Sequence, residues 1–384
     1  MLRLLAAAAL LCTIGARPAA AVAPALQPQL AGVLRSYLHE RGAAEHITAA
    51  SATVRLPDGR EIDAASGATP STLFQIGSNT KAFTAVLALE LEAAGKLDID
   101  DPIGRRLPEY PAWKQLTIRH LLDMTAGIPT YDNDQAFQRD YAARPQAFYS
   151  AQRLISYVYP RNGKAQFATG WHYSNTGYLL TQLILERASG MRFKDLLAQR
   201  IFVPLGLRAM YYDPHRLPAA VRARMAPGYF ASDDDDNRGL QPIYGKDVRG
   251  YSLSWAQAAG GIVSTPSDLT RWARFLYAGA GLPPKQRAEL TALVDTKTGS
   301  SIRAVSAERP HGFGLGVTQM FKPPLGVLWY YEGETLGYRV LHAWLPGSAT
   351  IVTVALNSQP RAKEDRIGEL MTRVVAVLPS HTVR

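Results

Sequence analysis

Between residues 26 and 41 apolar side chains recur at Leu30, Val33, Leu34, Tyr37 and Leu38, a three-and-four spacing that lines one face of a helix, and Gly42 follows as a stop. The period then changes. Residues 50–56 and 61–65 read as strands around Pro57, Asp58 and Gly59, where fixed φ and permitted positive φ favour a hairpin turn. Residues 79–94 are nearly all helix formers and end at Gly95, which predicts a buried helix entered at Ser78. From about 98 to 283 the chain reads as helices and loops, with helical stretches at 118–124, 152–158, 176–189, 193–201 and 267–277. Strand patterns return at 313–321, 326–331, 338–345 and 350–356, and residues 362–377 read as a closing helix. Strands at both ends with helices between them predict one discontinuous α/β domain. Its sheet is built by about 22–97 and 284–384, and about 98–283 form a helical insertion.

Composition narrows this picture modestly. The 384 residues are 47% hydrophobic and 19% charged, with 31 Gly and 25 Pro scattered rather than repeated, which excludes collagen, a coiled coil and a disordered chain. The formal net charge of +10 comes from Lys and Arg spread along the chain rather than gathered in a stripe, so it predicts a basic surface and no nucleic-acid partner. Asp233 to Asp236 look like a calcium loop at first, but Arg238 falls where an oxygen ligand is needed, and a solvated loop is expected. The single cysteine, Cys12, says more than the charge. It lies in residues 1–21, where Arg3 gives a charged start, 4–14 an apolar run, and Ala19, Ala20 and Ala21 a small-residue cleavage site, the three parts of a secretory signal. Cleavage there leaves no cysteine and hence no disulfide, while bulky Leu10 and Leu11 argue against lipid attachment at Cys12. No later stretch approaches about 18 apolar residues. The expectation is an exported monomer, periplasmic or extracellular, with no stable membrane insertion once the signal is cleaved.

Three short segments carry candidate chemistry. In Ser78-Asn79-Thr80-Lys81 the lysine stands one helical turn after the serine and on the same face, so its nitrogen can reach the hydroxyl. A lysine in an apolar pocket has a lowered pKa and can activate a serine nucleophile. Alone, the segment reads equally as a helix-capping serine with a snorkelling lysine. In Tyr173-Ser174-Asn175, at the start of a helix, the phenol and the amide can point inward, and a neighbouring cation is expected to lower the phenol pKa toward a phenolate proton shuttle. Its plain alternative is a capping Ser or Asn with a packing tyrosine. His172, beside Tyr173, is a candidate for tuning the site. In Tyr331-Glu332-Gly333-Glu334, Gly333 permits close backbone approach, so the Glu334 N–H can pair with that of Ser78 as an oxyanion hole. The alternative there is a hairpin turn with acidic tips.

Together these segments resemble the serine β-lactamase and penicillin-binding superfamily, in particular class C β-lactamases, D-alanyl-D-alanine carboxypeptidases and related esterases. Further segments share the likeness: Leu116-Thr117-Ile118-Arg119-His120-Leu121-Leu122 with Thr125 and Gly127, Pro204-Leu205-Gly206-Leu207, and Gly260-Gly261-Ile262-Val263-Ser264-Thr265 running into Asp268. The resemblance implies an antiparallel sheet flanked by helices plus an all-helical subdomain, and no cofactor or metal. It implies Ser78 as acylated nucleophile, Lys81 and Tyr173 as proton-transfer partners, and Asn175 as a substrate-amide contact. The backbone amides of Ser78 and Glu334 become oxyanion donors, beside Gly333. Which of Lys81 or Tyr173 is the acylation base stays open. One departure stands out: Tyr331 occupies the position that is usually Lys or His, where a cation helps hold a substrate carboxylate. Arg339 is a candidate replacement, unless strand alternation turns it away. Lys297-Thr298-Gly299 mimics the missing motif but precedes the 312–316 strand, so it is expected to be a decoy.

Rival chemistries lack their residues. No serine has glycine two positions to each side, and the histidines form no His-Glu-x-x-His, so a nucleophile-elbow hydrolase and a zinc enzyme are both disfavoured. The expected function is an exported serine hydrolase acting through an acyl-enzyme on a β-lactam, a D-alanyl peptide such as a cell-wall peptide, or a small ester. An esterase without β-lactamase activity and a catalytically weak cell-wall peptide-binding protein are the alternatives.

Overall fold

The computed structural model describes residues 23–160, 163–279 and 281–379; the expected signal segment 1–21, with Cys12, lies outside them. Helix α1 (Ala23–Glu45) buries Leu26, Leu30, Leu34 and Tyr37 and runs three residues past Gly42. Its last turn is held by the buried Glu45, whose carboxylate accepts from the Tyr37 hydroxyl at 2.7 Å and from Arg41 at 3.0 Å, contacts that outweigh the helix-breaking tendency of one glycine. The hairpin of β1 (Ala50–Arg55) and β2 (Glu61–Ser66) turns at Gly59, whose φ is 90°.

Helices α2 (Thr80–Ala93) and α3 (Asn175–Ser189) come next among the elements that frame the cleft. The chain then returns to the sheet as β3 (Leu293–Asp295), β4 (Ser301–Ile302), β5 (His311–Phe313), β6 (Thr318–Lys322), β7 (Gly326–Thr335), β8 (Tyr338–Leu345) and β9 (Thr350–Leu356), followed by helix α4 (Ile367–Ala376). One nine-stranded sheet results, ordered β2-β1-β9-β8-β7-β6-β5-β3-β4 and antiparallel throughout. Its two chain ends meet at β1 and β9, with Ala50 opposite Leu356 and Arg55 opposite Ile351. Alternation along β9 sends Val352, Val354 and Leu356 into a core under α1 and α4, and Ile351 and Ala355 into a second core with α2 and α3. The second core carries the cleft.

Three sequence expectations are corrected here. The strand expected over 313–321 is two strands, because Gly314-Leu315-Gly316 breaks the pairing; Gly316 has φ 68°, and a Cβ on it would lie 2.8 Å from the Lys81 carbonyl oxygen. The strand expected to end at Tyr331 continues to Thr335, since pairing with β8 overrides the poor strand propensity of Glu332-Gly333-Glu334. The insertion is not all helix. Met210–Tyr212 and Ile262–Ser264 join Phe74–Gln75 in a three-stranded sheet, and Tyr229–Ala231 pairs in parallel with Ser358–Pro360, strands too short to show a period in sequence. No described helix is long and apolar enough to cross a membrane.

Candidate active site

A 3-10 turn at Gly77–Asn79 leads into α2, and Ser78 sits in that turn at the floor of a cleft of about 410 Å³. Ser78 does not cap the helix with its side chain. Its Oγ lies 2.9 Å from Lys81 Nζ and 2.5 Å from Tyr173 Oη, so the capping alternative gives way to a three-residue cluster. The one-turn spacing from Ser78 to Lys81 makes the first contact; the fold brings in Tyr173 from 95 residues away.

Lys81 is fully buried. Its Nζ also donates to Asn175 Oδ1 at 2.6 Å and to the Ala259 carbonyl at 2.8 Å. Both partners only accept, so they hold two amine hydrogens and the remaining position faces the Ser78 hydroxyl. Burial lowers the Lys81 pKa to about 7, against the opposing field of Asp132. A substantial share of the side chain is therefore free amine at neutral pH, 2.9 Å from the Ser78 hydroxyl and able to accept its proton.

Tyr173 stands in the loop before α3. The His172 N–H donates to the Met124 carbonyl at 2.9 Å, the Ser174 N–H meets Met124 Sδ at 3.2 Å, and the Asn175 N–H donates to Thr130 Oγ1 at 3.0 Å. Ser174 makes no side-chain cap, which removes that alternative as well. The expected phenolate is corrected. Desolvation raises the Tyr173 phenol above its usual range, more than the hydrogen bond with Ser78 lowers it, and Asp132 and Glu334 push the same way. Solvent at the 38% of the residue that is open screens part of this rise. His172 is exposed, and its ring nitrogen pairs with the Thr169 carbonyl rather than with the cluster.

Asn175 is gripped from both ends, its Oδ1 by Lys81 and its Nδ2 by Asp132 Oδ2 at 2.7 Å, leaving one amide hydrogen for the cleft. Sequence reasoning missed Asp132, because nothing in the Tyr131-Asp132-Asn133 turn marks it. It missed His342 too, a core-facing residue of β8 whose contact with Asn79 spans 263 positions.

The third segment lies along the cleft. β6 pairs with β7 only as far as Tyr330, so the edge from Tyr331 to Thr335 has no strand on its open side. Thr335 and Tyr338 close a two-residue turn, and bonded and non-bonded pairs alternate in such a hairpin, which points the Glu334 N–H away from β8 and toward the Ser78 turn. The approach is close. A Cβ on Gly77, whose φ is 51°, would sit 2.6 Å from Glu334 N, and one on Gly333 would sit 1.9 Å from the Ile76 carbonyl oxygen. Only glycine fits at either position.

Tyr331 is 5% exposed, packs its ring edge-on against Phe313, and leaves its hydroxyl without a hydrogen-bond partner. Arg339 does not replace the missing cation. It is buried under the opposite sheet face, bound to Glu45 at 2.8 Å, to Asp365 and to the Ser358 carbonyl, which retires that expectation. Lys297-Thr298-Gly299 forms the β3–β4 turn, where Asp295 accepts from both Lys297 and Thr298 N–H groups, and none of the three lines the cleft. Phe137, Tyr141, Leu240 and Trp255 give the cleft an apolar wall, and among the described lining residues there are three carboxylates and no Lys, Arg or His.

Comparison with known proteins identifies the family. The family model described as Beta-lactamase matches residues 31–376. Penicillin-binding protein 4* of Bacillus subtilis is 28% identical over 280 residues, covering 71% of this chain and 57% of the relative. The D-aminopeptidase of Gluconobacter oxydans is 28% identical over 304 residues, covering 77% of this chain and 51% of the relative. The chain thus spans little more than half the length of these relatives. Among solved structures, D-amino acid amidase from Ochrobactrum anthropi SV3 superposes with a TM-score of 0.74 at 24% identity, covering 91% of this chain and 98% of that one. D-alanine carboxypeptidase AmpC from Burkholderia cenocepacia gives 0.68 at 20% identity, covering 93% and 100%. With its helix-flanked antiparallel sheet and a family match running almost end to end, the chain belongs to the Beta-lactamase family.

Proposed function

We propose that this protein is a serine hydrolase that cleaves an amide or ester through an acyl-enzyme on Ser78. The observation that carries the reading is the placement of Ser78 Oγ between Lys81 Nζ at 2.9 Å and Tyr173 Oη at 2.5 Å on the floor of an open cleft. The neutral Lys81 amine takes the Ser78 proton as Oγ attacks the substrate carbonyl, and the Ser78 and Glu334 N–H groups receive the developing oxyanion. The Lys81–Tyr173 pair then passes a proton to the departing amine or alcohol, with Tyr173 acting as a neutral relay. Water attacks the acyl-enzyme, and the same groups return the proton to Ser78 Oγ.

Relatives named for D-amino acid peptides and amides, together with the apolar wall of the cleft, favour a D-aminoacyl amide, peptide or ester as the substrate class. The cation-free lining disfavours β-lactams and peptides that must be held by a carboxylate. Residues 1–21 support export. Incubating wild type and Ser78→Ala with a nitrophenyl ester, a D-alanine anilide and a chromogenic β-lactam tests the reading, with intact mass used to detect the acyl-enzyme. Ser78-dependent release of chromophore from the first two is expected; equal behaviour of the two proteins on all three overturns it.

A further inference from the structure

A second, smaller cavity of about 70 Å³ opens beside Phe74–Gln75, the strand that leads into the Ser78 turn. Its other walls come from residues 213–217 and 249–253 and from Arg222, and among the described residues none lines both this cavity and the cleft. Gln75 is 3% exposed, and its side-chain amide makes no hydrogen bond with any described residue. Neither amide atom is sealed off from solvent, so what is left open of this side chain opens here. Buried amides are ordinarily paired. For Gln75 the partner has to come from outside the chain.

Charge is the second observation. His215, Arg216, Arg222 and Arg249 line the cavity against one carboxylate, Asp213. That carboxylate is already engaged, since Oδ2 accepts from Lys194 at 2.5 Å and Oδ1 from the His215 backbone N–H at 3.1 Å. The His215 ring is stacked on Phe148, and Arg249 is paired with Asp247 at 2.7 Å. Two guanidinium groups remain. Among the described residues neither Arg216 nor Arg222 makes a side-chain ion pair or hydrogen bond, and the Arg222 Nε is enclosed without an acceptor. The cavity therefore holds an excess of positive charge and of N–H donors, which an oxyanion complements with charge-assisted hydrogen bonds. Its volume is about two waters' share of the liquid, at roughly 30 Å³ each, so the enclosed part of a ligand is one compact group.

We propose that this cavity binds a compact oxyanion, a phosphate or carboxylate group, between the Arg216 and Arg222 guanidinium groups, with the Gln75 amide donating at its buried end. Binding is independent of the Ser78 chemistry, because no residue of the catalytic cluster lines the cavity. A bound anion would tie residues 213–222 of the insertion to the strand that enters the Ser78 turn, so it should also stabilise the fold.

The test is calorimetric titration with sodium phosphate and, separately, sodium acetate, each against sodium chloride at matched ionic strength so that general screening cancels. The proteins are wild type, Arg222→Gln, Arg216→Gln and Gln75→Met, the last of which keeps the side-chain length and removes the donor. Wild type should bind at least one of the two anions saturably at one site per chain, with the tighter anion naming the source, and its melting temperature should rise with that anion. Arg222→Gln should weaken binding at least tenfold and lose the rise in melting temperature; Arg216→Gln and Gln75→Met should each weaken binding at least threefold. If Gln75→Met does not fold, the two arginine variants decide. No saturable binding of either anion, equal affinity for chloride, or any folded variant that binds as tightly as wild type overturns the proposal.

Discussion

His342 Nδ1 lies 2.6 Å from Oδ1 of Asn79, the residue that follows Ser78. Burial pushes the imidazole pKa down to about 3, so the ring is neutral, donating from Nδ1 to Asn79 and accepting at Nε2 from the Tyr277 hydroxyl at 3.1 Å. Asn79 Nδ2 in turn donates to the carbonyls of Ile76 at 2.7 Å and Val340 at 2.9 Å. The Ser78 turn is thereby fastened to the centre of the sheet. Replacing His342 by Leu strands two buried polar groups, at a cost of about 1–3 kcal/mol each. A lower melting temperature and a lower kcat on a nitrophenyl ester are expected, and an unchanged melting temperature would contradict the role assigned to this contact.

In the proposed mechanism Lys81 sets the pH dependence. A lysine with a depressed pKa is active in its deprotonated form, so kcat/KM on a neutral ester should rise with pH through about 7 and then level off. The phenol of Tyr173 is shifted upward, so no falling limb is expected below pH 10 from its ionisation. A rate profile that is flat from pH 5 to 9, or that falls above pH 8, rules out this assignment.

Asp132 raises the Lys81 pKa through its charge and fixes Asn175. In Asp132→Asn the carboxylate field is lost while the side-chain volume is kept. The rising limb should move to lower pH, because the ammonium form loses its stabilising neighbour. If the limb stays in place while activity drops, Asp132 orients Asn175 without tuning the amine.

Gly333→Ala tests the oxyanion edge. The added methyl would meet the Ile76 carbonyl oxygen at 1.9 Å and Asn79 Nδ2 at 2.5 Å, so β7 must withdraw from the Ser78 turn and take the Glu334 N–H with it. Losing one such donor typically costs about 10²–10³ in kcat. Steady-state kinetics alongside thermal denaturation should show kcat falling by at least that range; full activity in a folded variant refutes the placement of the Glu334 amide.

Tyr331→Lys restores a cation beside the cleft. A charge-assisted contact to a substrate carboxylate is worth about 1–3 kcal/mol, so activity on carboxylate-bearing substrates should rise relative to a neutral ester. No change in that ratio removes Tyr331 from the account of specificity.

Sequence alone determined what is local. The apolar spacing of α1, the turn residues of the first hairpin and the helix formers after Asn79 encode backbone conformations that depend on near neighbours. The Ser78–Lys81 contact belongs here too, since three positions on a helix bring two side chains together wherever that helix lies. Family resemblance added Tyr173 and the β7 edge as partners, but it did not supply their protonation states. Those were decided by the tertiary structure, because a pKa answers to burial and to charges that the fold assembles. Enclosure lowers the Lys81 amine toward neutral pH, as its apolar pocket led one to expect, and raises the Tyr173 phenol, contrary to the phenolate expected from a neighbouring cation. Packing of α1 and of the segment before α4 against the sheet decided that Arg339 is locked to Glu45 and Asp365 and supplies no cation to the cleft. A strand's alternation gives two faces, and only the packed neighbours tell which face meets the substrate and which meets the core.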